Sequence, residues 1–68
     1  MKAYALVCEA IVKVAYAKIE GDNATLLKAL ECCQAAISEE DASETDKSLA
    51  IQTASEAMRL AVSRGLFA

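Results

Sequence analysis

Apolar residues occupy almost every side of the first predicted helix, from about residue 2 to residue 20. At about 100° per residue, the charged residues Lys2, Glu9, Lys13 and Glu20 fall on one narrow stripe. Apart from Lys18, most of the other positions form three apolar seams, which are Tyr4, Val7, Ile11 and Val14; Cys8, Val12, Ala15 and Ile19, with Tyr16 at the edge; and Ala3, Ala10 and Ala17. One neighbouring helix covers about one such seam. Helix 1 is therefore predicted to be central, with the seam through Cys8 in the core and the alanine seam left over for a partner.

A turn and a second helix follow. Gly21 suits the left-handed position after a helix, and Asp22 or Asn23 can accept the free amides at the start of the next one. Helix 2 is predicted over about residues 24–38 with one buried seam, which alanines widen. The seam comprises Leu26, Leu30, Cys33 and Ile37, with Ala29 and Ala36 beside it.

A third helix is predicted over about residues 44–64, with Gly65 after its end. Its start is assigned from capping pairs, either Ser43 with Asp46 or Asp41 with Glu44. Its main apolar face is predicted as Ile51, Ala54, Met58, Ala61 and Val62, with a second line of Leu49, Leu60 and Phe67. Since this boundary has neither Gly nor Pro, one continuous helix in place of helices 2 and 3 stays an alternative, which would favour a swapped dimer.

Composition supports an all-helical chain. Its 68 residues are 56% hydrophobic and 4% aromatic, with no Pro and two Gly, which favours helices over sheets. The chain is expected to be a single helical domain, 1–68, folded as an antiparallel three-helix bundle. A core this small is marginal by itself. We therefore expect homo-oligomerisation, most simply a dimer, to complete the bundle.

Charge and cysteine content narrow the partners and the compartment. A formal net charge of −3 argues against nucleic-acid binding and against an anionic membrane surface. Charged residues interrupt the apolar N-terminal stretch, which speaks against an export signal or a membrane span. Three cysteines without CxxC spacing fit reduced thiols, so a cytoplasmic location is expected.

Cys8, Cys32 and Cys33 are candidates for a metal or redox site. Tetrahedral zinc needs a fourth ligand and the chain has no His, so burial as small hydrophobes is the favoured interpretation. Cys32, at the rim of its seam, is the better candidate for a reactive thiol. The acidic run at 39–46 lacks the central Gly of a calcium loop and is interpreted as a capping turn, or else as a contact for a basic partner.

Catalysis has no support in the sequence. Without His, a Gly-rich phosphate loop or a nucleophile motif, the usual acid, base and nucleophile arrangements are missing. The prediction is therefore a protein that is not an enzyme and that has no catalytic, cofactor-binding or metal residues.

One segment carries a local resemblance to a known family. Residues 29–37, ALECCQAAI, resemble the second helix of a tetratricopeptide-type repeat, with Ala29, Cys33 and Ala36 at its small, large and small positions. Three-helix trafficking modules are similar in size. The resemblance implies a helical hairpin that captures a peptide, and it covers nine residues.

The sequence thus predicts a small acidic, self-associating regulatory or adaptor protein that works by protein–protein contact. The alternatives are a helix-in-groove peptide-binding module and a thiol-based metal or redox site. The predicted interface comprises Ala3, Tyr4, Leu6, Ala10, Tyr16, Ala17, Leu49, Leu60 and Phe67. A further protein partner, besides a second copy, is compatible with this prediction.

Overall fold

Three helices make up the bundle. The computed structural model describes residues 2–66, with α1 at Lys2–Glu20, α2 at Asn23–Ser38 and α3 at Glu44–Ser63. All three pairs of helices are in contact, and the short connections make successive helices antiparallel. The predicted three-helix fold is confirmed, with boundaries within one residue of those expected. Because α2 and α3 are separate helices, the continuous-helix alternative is wrong.

The turn between α1 and α2 is built from the residues that predicted it. Gly21 has a positive φ of 71°, and its N–H donates to the carbonyl of Ala17 at 2.8 Å. The Asp22 carboxylate accepts from the N–H of Ala24 at 3.0 Å and from the hydroxyl of Thr25 at 2.6 Å. The Thr25 hydroxyl, together with the backbone amides, lowers the pKa of Asp22. Asp22 is thus an ionised cap on the positive end of α2.

A capping box begins α3. The Ser43 hydroxyl accepts from the N–H of Asp46 at 3.0 Å, and the Asp46 carboxylate accepts from the N–H of Ser43 at 3.1 Å. Of the two predicted pairs, Ser43 with Asp46 is the one formed. Asp41 instead caps α1, since its carboxylate accepts from the N–H groups of Lys2 and Ala3 at 2.8 and 3.2 Å.

The opposite end of α1 is held by Arg64. The Arg64 guanidinium donates to the carbonyl of Ala17 at 2.8 Å and to the side-chain oxygen of Asn23 at 3.3 Å. Gly65 ends α3 with a φ of 72° as predicted. Since Asp41 binds the start of α1 and Arg64 binds its end, both ends of that helix are tied to other elements.

Small side chains fill the core. Within residues 2–66, eight of the twelve buried hydrophobic residues are alanines, and the largest fully buried side chains are Leu26, Val7, Val14 and Cys33. Thr53 is also buried, with its hydroxyl donating to the Leu49 carbonyl at 2.8 Å. Alanine lets helix backbones approach closely, but each buried alanine removes little apolar surface from water. The core is therefore compact and contributes modest hydrophobic stabilisation.

The inward face of α1 differs from the expected one. Val7 and Val14 are buried, but Tyr4 and Ile11 of the same predicted seam are about half exposed. The alanines that were assigned to a partner lie at 0% exposure inside the bundle, where Ala3, Ala10 and Ala17 alternate with Val7 and Val14. The neighbouring helices thus pack on the narrowest seam of α1, because small residues allow the closest contact.

The predicted main face of α3 is also wrong. Ile51, Met58 and Val62 are 56%, 44% and 63% exposed, and only Ala61 of that face is fully buried. The residues that turn inward are Ala50, Thr53, Ala57 and Ala61. Leu49 and Leu60, assigned to an outer line, are partly buried against the core. The prediction for α2 fares better, since Leu26, Ala29, Cys33 and Ala36 are buried and Leu30 packs against the core. Ile37 of the predicted seam is 38% exposed.

Candidate functional site

A continuous uncharged face covers the outside of α1. It spans about 140° of the helix circumference at 100° per residue, and every residue on it is exposed. We define this α1 outer face as Tyr4, Ala5, Cys8, Ile11, Val12, Ala15, Tyr16 and Ile19. Exposed apolar patches of this kind on small proteins mark contacts with other molecules.

The α1 outer face has the spacing of a helix-packing seam. Its middle line is Ala5, Cys8, Val12, Ala15 and Ile19, which alternates steps of three and four residues as a heptad repeat does. Val12 and Ile19 are 66% and 80% exposed. The bundle therefore leaves one complete seam uncovered on the side of α1 that faces away from the core.

Tyrosines lie toward the two edges of the α1 outer face. Tyr4 and Tyr16 are each 51% exposed, so about half of each residue's surface is accessible to a partner. A hydrogen bond with the Cys8 thiol is the main cause that raises the pKa of Tyr4, so its phenol stays neutral. Neutral aromatic rings with a polar tip are typical anchors of protein interfaces.

Charged side chains border this face on both sides. On the α3 side, Lys18 and Glu56 form an ion pair at 3.0 Å. On the α2 side, Glu9 pairs with Lys13 at 3.5 Å and accepts a hydrogen bond from the Cys32 thiol, also at 3.5 Å. We call the line of Lys2, Glu9, Lys13 and Glu20 the border stripe. An apolar centre with a polar rim is the usual anatomy of a binding surface.

The residues predicted for the interface fall into several environments. Tyr4 and Tyr16 lie on the exposed α1 outer face, whereas Ala3, Ala10 and Ala17 are core residues of the single chain. Leu6, Leu49 and Leu60 pack against the core from its margins. Phe67 lies outside the described residues. We therefore leave the three alanines out of any surface offered to a partner.

Sequence reasoning identified most of the exposed seam but placed it inside the bundle. Cys8, Val12, Ala15 and Ile19 were recognised as a seam, and Ala5 was missed. The exposed face could have been found from the distribution of charge in the sequence. On a helical projection, the border stripe lies on one side of the uncharged positions and Lys18 lies on the other.

The three cysteines occupy unlike environments. Cys33 is buried as predicted and Cys32 is intermediate, but Cys8 is exposed on the α1 outer face, so the burial predicted for Cys8 is wrong. Burial, followed by the contact with Glu9, raises the pKa of Cys32, and burial also raises that of Cys33. A raised pKa keeps a thiol protonated and a poor nucleophile, which disfavours the predicted reactivity of Cys32. Residues 2–66 hold no group of three potential ligands arranged to bind a metal ion.

A shallow groove lies between α1 and α3. It has a volume of about 430 Å³ and is lined by Ile11, Leu49, Gln52, Thr53, Glu56 and Arg59. Apolar side chains meet one acidic and one basic side chain there, a mixture that suits a peptide better than an anion. Ile11 belongs to both the groove and the α1 outer face.

Comparisons with protein-family models, with curated proteins and with solved structures found no match to this chain. Separately, none of the three helices between Lys2 and Ser63 combines the length and apolar character that crossing a membrane requires.

Proposed function

We propose that this protein acts by protein–protein contact through the α1 outer face, and that its first partner is a second copy of itself. It is a regulatory or adaptor protein without a catalytic step. The proposal places it in a reducing compartment, the cytoplasm, since all three thiols are free. The observation that carries the proposal is the complete, uncharged, exposed seam on α1.

The distribution of large side chains supports the proposal. In the part of the chain that the structure describes, ten large hydrophobic residues are exposed. The largest fully buried side chains there are Leu26, Val7, Val14 and Cys33. Burying a Val, Leu or Ile stabilises by about 1.5–3 kcal/mol, and an alanine by much less. Association therefore removes from water the apolar area that folding of one chain leaves exposed.

The α1 outer face is favoured over the other exposed apolar residues because it is continuous. On α3, Ile51, Met58 and Val62 share their side of the helix with Glu44 and Lys47. Those charges would have to be desolvated on contact, which is costly. On α1 no charge interrupts the seam, so a second helix can pack along it from Tyr4 to Ile19, about 22 Å at 1.5 Å per residue.

A matched pair of valine substitutions tests which surface associates. Val12 on α1 and Val62 on α3 are 66% and 63% exposed, so V12K and V62K make the same chemical change at equal exposure. We expect V12K to weaken self-association about tenfold or more, because each copy then has a lysine in the seam. V62K should self-associate like the unmodified chain. Sedimentation equilibrium of each variant gives its self-association constant.

The same experiment can overturn the assignment. If V62K disrupts association and V12K does not, the interface lies on α3 and the proposal for α1 is wrong. Circular dichroism of both variants controls for folding, since both sites are exposed and helical.

Peptide capture in the groove between α1 and α3 is the second candidate function. The specific observation for it is the combination of Ile11 and Leu49 with Glu56 and Arg59 around one concave surface. Helix-in-groove recognition uses an apolar channel with charged sides. If V12K is monomeric and still binds an amphipathic peptide that L49K does not bind, this second function would stand by itself.

A further inference from the structure

The charges of the border stripe are antisymmetric along α1. In order they are Lys2, Glu9, Lys13 and Glu20, that is plus, minus, plus, minus. Reversing the helix about Ile11 carries Lys2 onto Glu20 and Glu9 onto Lys13. Every position of the stripe then meets its opposite charge.

Helix orientation decides whether this antisymmetry matters. In an antiparallel pair with a two-fold axis across the helices, each border of one seam lies beside the same border of the other. The border stripe of one copy would then run alongside that of the second copy in the opposite direction. In a parallel pair it would instead face the other border, which contains Tyr4, Ile11 and Lys18.

We propose that two copies pair α1 against α1 in antiparallel orientation, about a two-fold axis near Ile11. This inference rests on the proposed self-association and specifies its geometry. Glu9 of each copy lies beside Lys13 of the other, and Lys2 lies beside Glu20. A second copy necessarily carries the charges that complement the border stripe when the two helices run in opposite directions. Charge complementarity therefore identifies a second copy as the occupant of the α1 outer face.

The middle line of the face suits the arrangement. Ala5, Cys8 and Ala15 are small and exposed, so two helices can approach closely along it. Val12 and Ile19 supply the larger apolar contacts between the small residues. Alternation of small and large side chains lets facing layers interdigitate.

Two single charge reversals test the pairing. E9K and K13E each break the pair within one helix, and each places like charges together across the proposed two-fold axis. We expect each variant alone to self-associate about fivefold to tenfold more weakly than the unmodified chain. A mixture of the two should recover association, because a lysine at position 9 of one copy then meets a glutamate at position 13 of the other.

Recovery in the mixture identifies contact between chains, since the internal pair stays broken in both variants. A control is K47E, which reverses a charge on the side of α3 that carries Ile51, Met58 and Val62. K47E should self-associate like the unmodified chain, and mixing K47E with E9K should not restore the association that E9K loses.

Cysteine cross-linking distinguishes the two helix orientations. With the axis near Ile11, the two Cys8 residues are about 9 Å apart along the helix, at 1.5 Å per residue. This separation exceeds the 4.4–6.8 Å between Cα atoms that a disulfide requires. Mild oxidation of the unmodified dimer should therefore give no Cys8–Cys8 link. The A15C variant should link Cys8 of one copy to the introduced thiol of the other, as located by peptide mass spectrometry.

The outcomes separate this inference from the proposed function. If the unmodified chain is monomeric at every concentration, self-association itself is wrong. If it is dimeric but E9K and K13E associate normally, or the mixture shows no recovery, the antiparallel pairing is wrong and self-association stands. A Cys8–Cys8 link in the unmodified dimer would indicate parallel helices and would also overturn the inference.

Discussion

Alanine is the commonest residue on the buried side of each helix in this protein. On α1 the buried line is Ala3, Val7, Ala10, Val14 and Ala17, whereas the bulkier Ile11 and Tyr4 remain about half exposed. Close contact between backbones needs small side chains, and dispersion attraction grows as helices approach. On α1, therefore, the largest apolar side chains are not the buried ones.

Acid should weaken the cap at the start of α2. The pKa of Asp22 is lowered in the folded chain, first by the Thr25 hydroxyl and then by the backbone amides. A lowered pKa gives stability that is present above the ordinary aspartate value, about 3.9, and is lost as the pH falls through the folded value. Urea unfolding at pH 7 and near pH 3 measures this loss.

The variant D22N isolates the contribution of the carboxylate. Asn caps helices about as well as Asp but does not titrate. We expect D22N to unfold with a smaller difference between neutral and acid pH than the unmodified chain. An equal difference in both proteins would mean that Asp22 does not contribute to acid sensitivity.

Local chemistry could be predicted from the sequence at this scale, whereas the buried side of a helix could not. Helix caps depend on neighbours only a few residues away, so they could be predicted from the sequence. The predicted roles of Gly21, of Ser43 with Asp46 and of Gly65 are confirmed. Three seams of α1 share heptad spacing, and periodicity alone does not say which one meets another helix. That choice depends on how closely α2 and α3 approach, which is a property of the folded chain.

At the scale of the elements, α1 has two packing sides. One side contacts both α2 and α3, and its ends are held by Asp41 and Arg64. The other side is the α1 outer face. The surplus of apolar surface on α1 was predicted from the absence of charge, and Tyr4 and Tyr16 of the predicted interface are exposed. The alanine seam and the seam through Cys8 were assigned to the wrong sides, because larger residues were expected inside.

Two alanines on opposite sides of α1 test this assignment. Ala10 is at 0% exposure in the core, whereas Ala5 lies on the α1 outer face. We expect A10L to lower the free energy of unfolding by about 1–3 kcal/mol, because a tightly packed site must expand. A5L should change it by less than about 0.5 kcal/mol.

Both alanine variants are best compared in the V12K background, where association does not contribute to stability. Urea denaturation followed by circular dichroism gives the two free energies. Equal stability of A10L and A5L would contradict the inward orientation of Ala3, Ala10 and Ala17.

At the scale of the whole molecule, the distribution of charge is compatible with a dimer of two acidic chains. A net charge of −3 per chain disfavours association in general, and this repulsion is weaker at higher salt. The border stripe itself is neutral, with two lysines and two glutamates. The contact surface therefore adds no net electrostatic repulsion to that between the remaining charges of the two copies.

Sedimentation equilibrium of the unmodified chain, over a range of concentrations from micromolar to millimolar, tests the central claim most directly. One chain has a mass of 7.2 kDa. We expect the average mass to rise with concentration toward twice that value and to stop there. A two-fold pair buries the α1 outer face of both copies and leaves none of it for a third copy. A mass that stays at 7.2 kDa throughout would contradict self-association through α1.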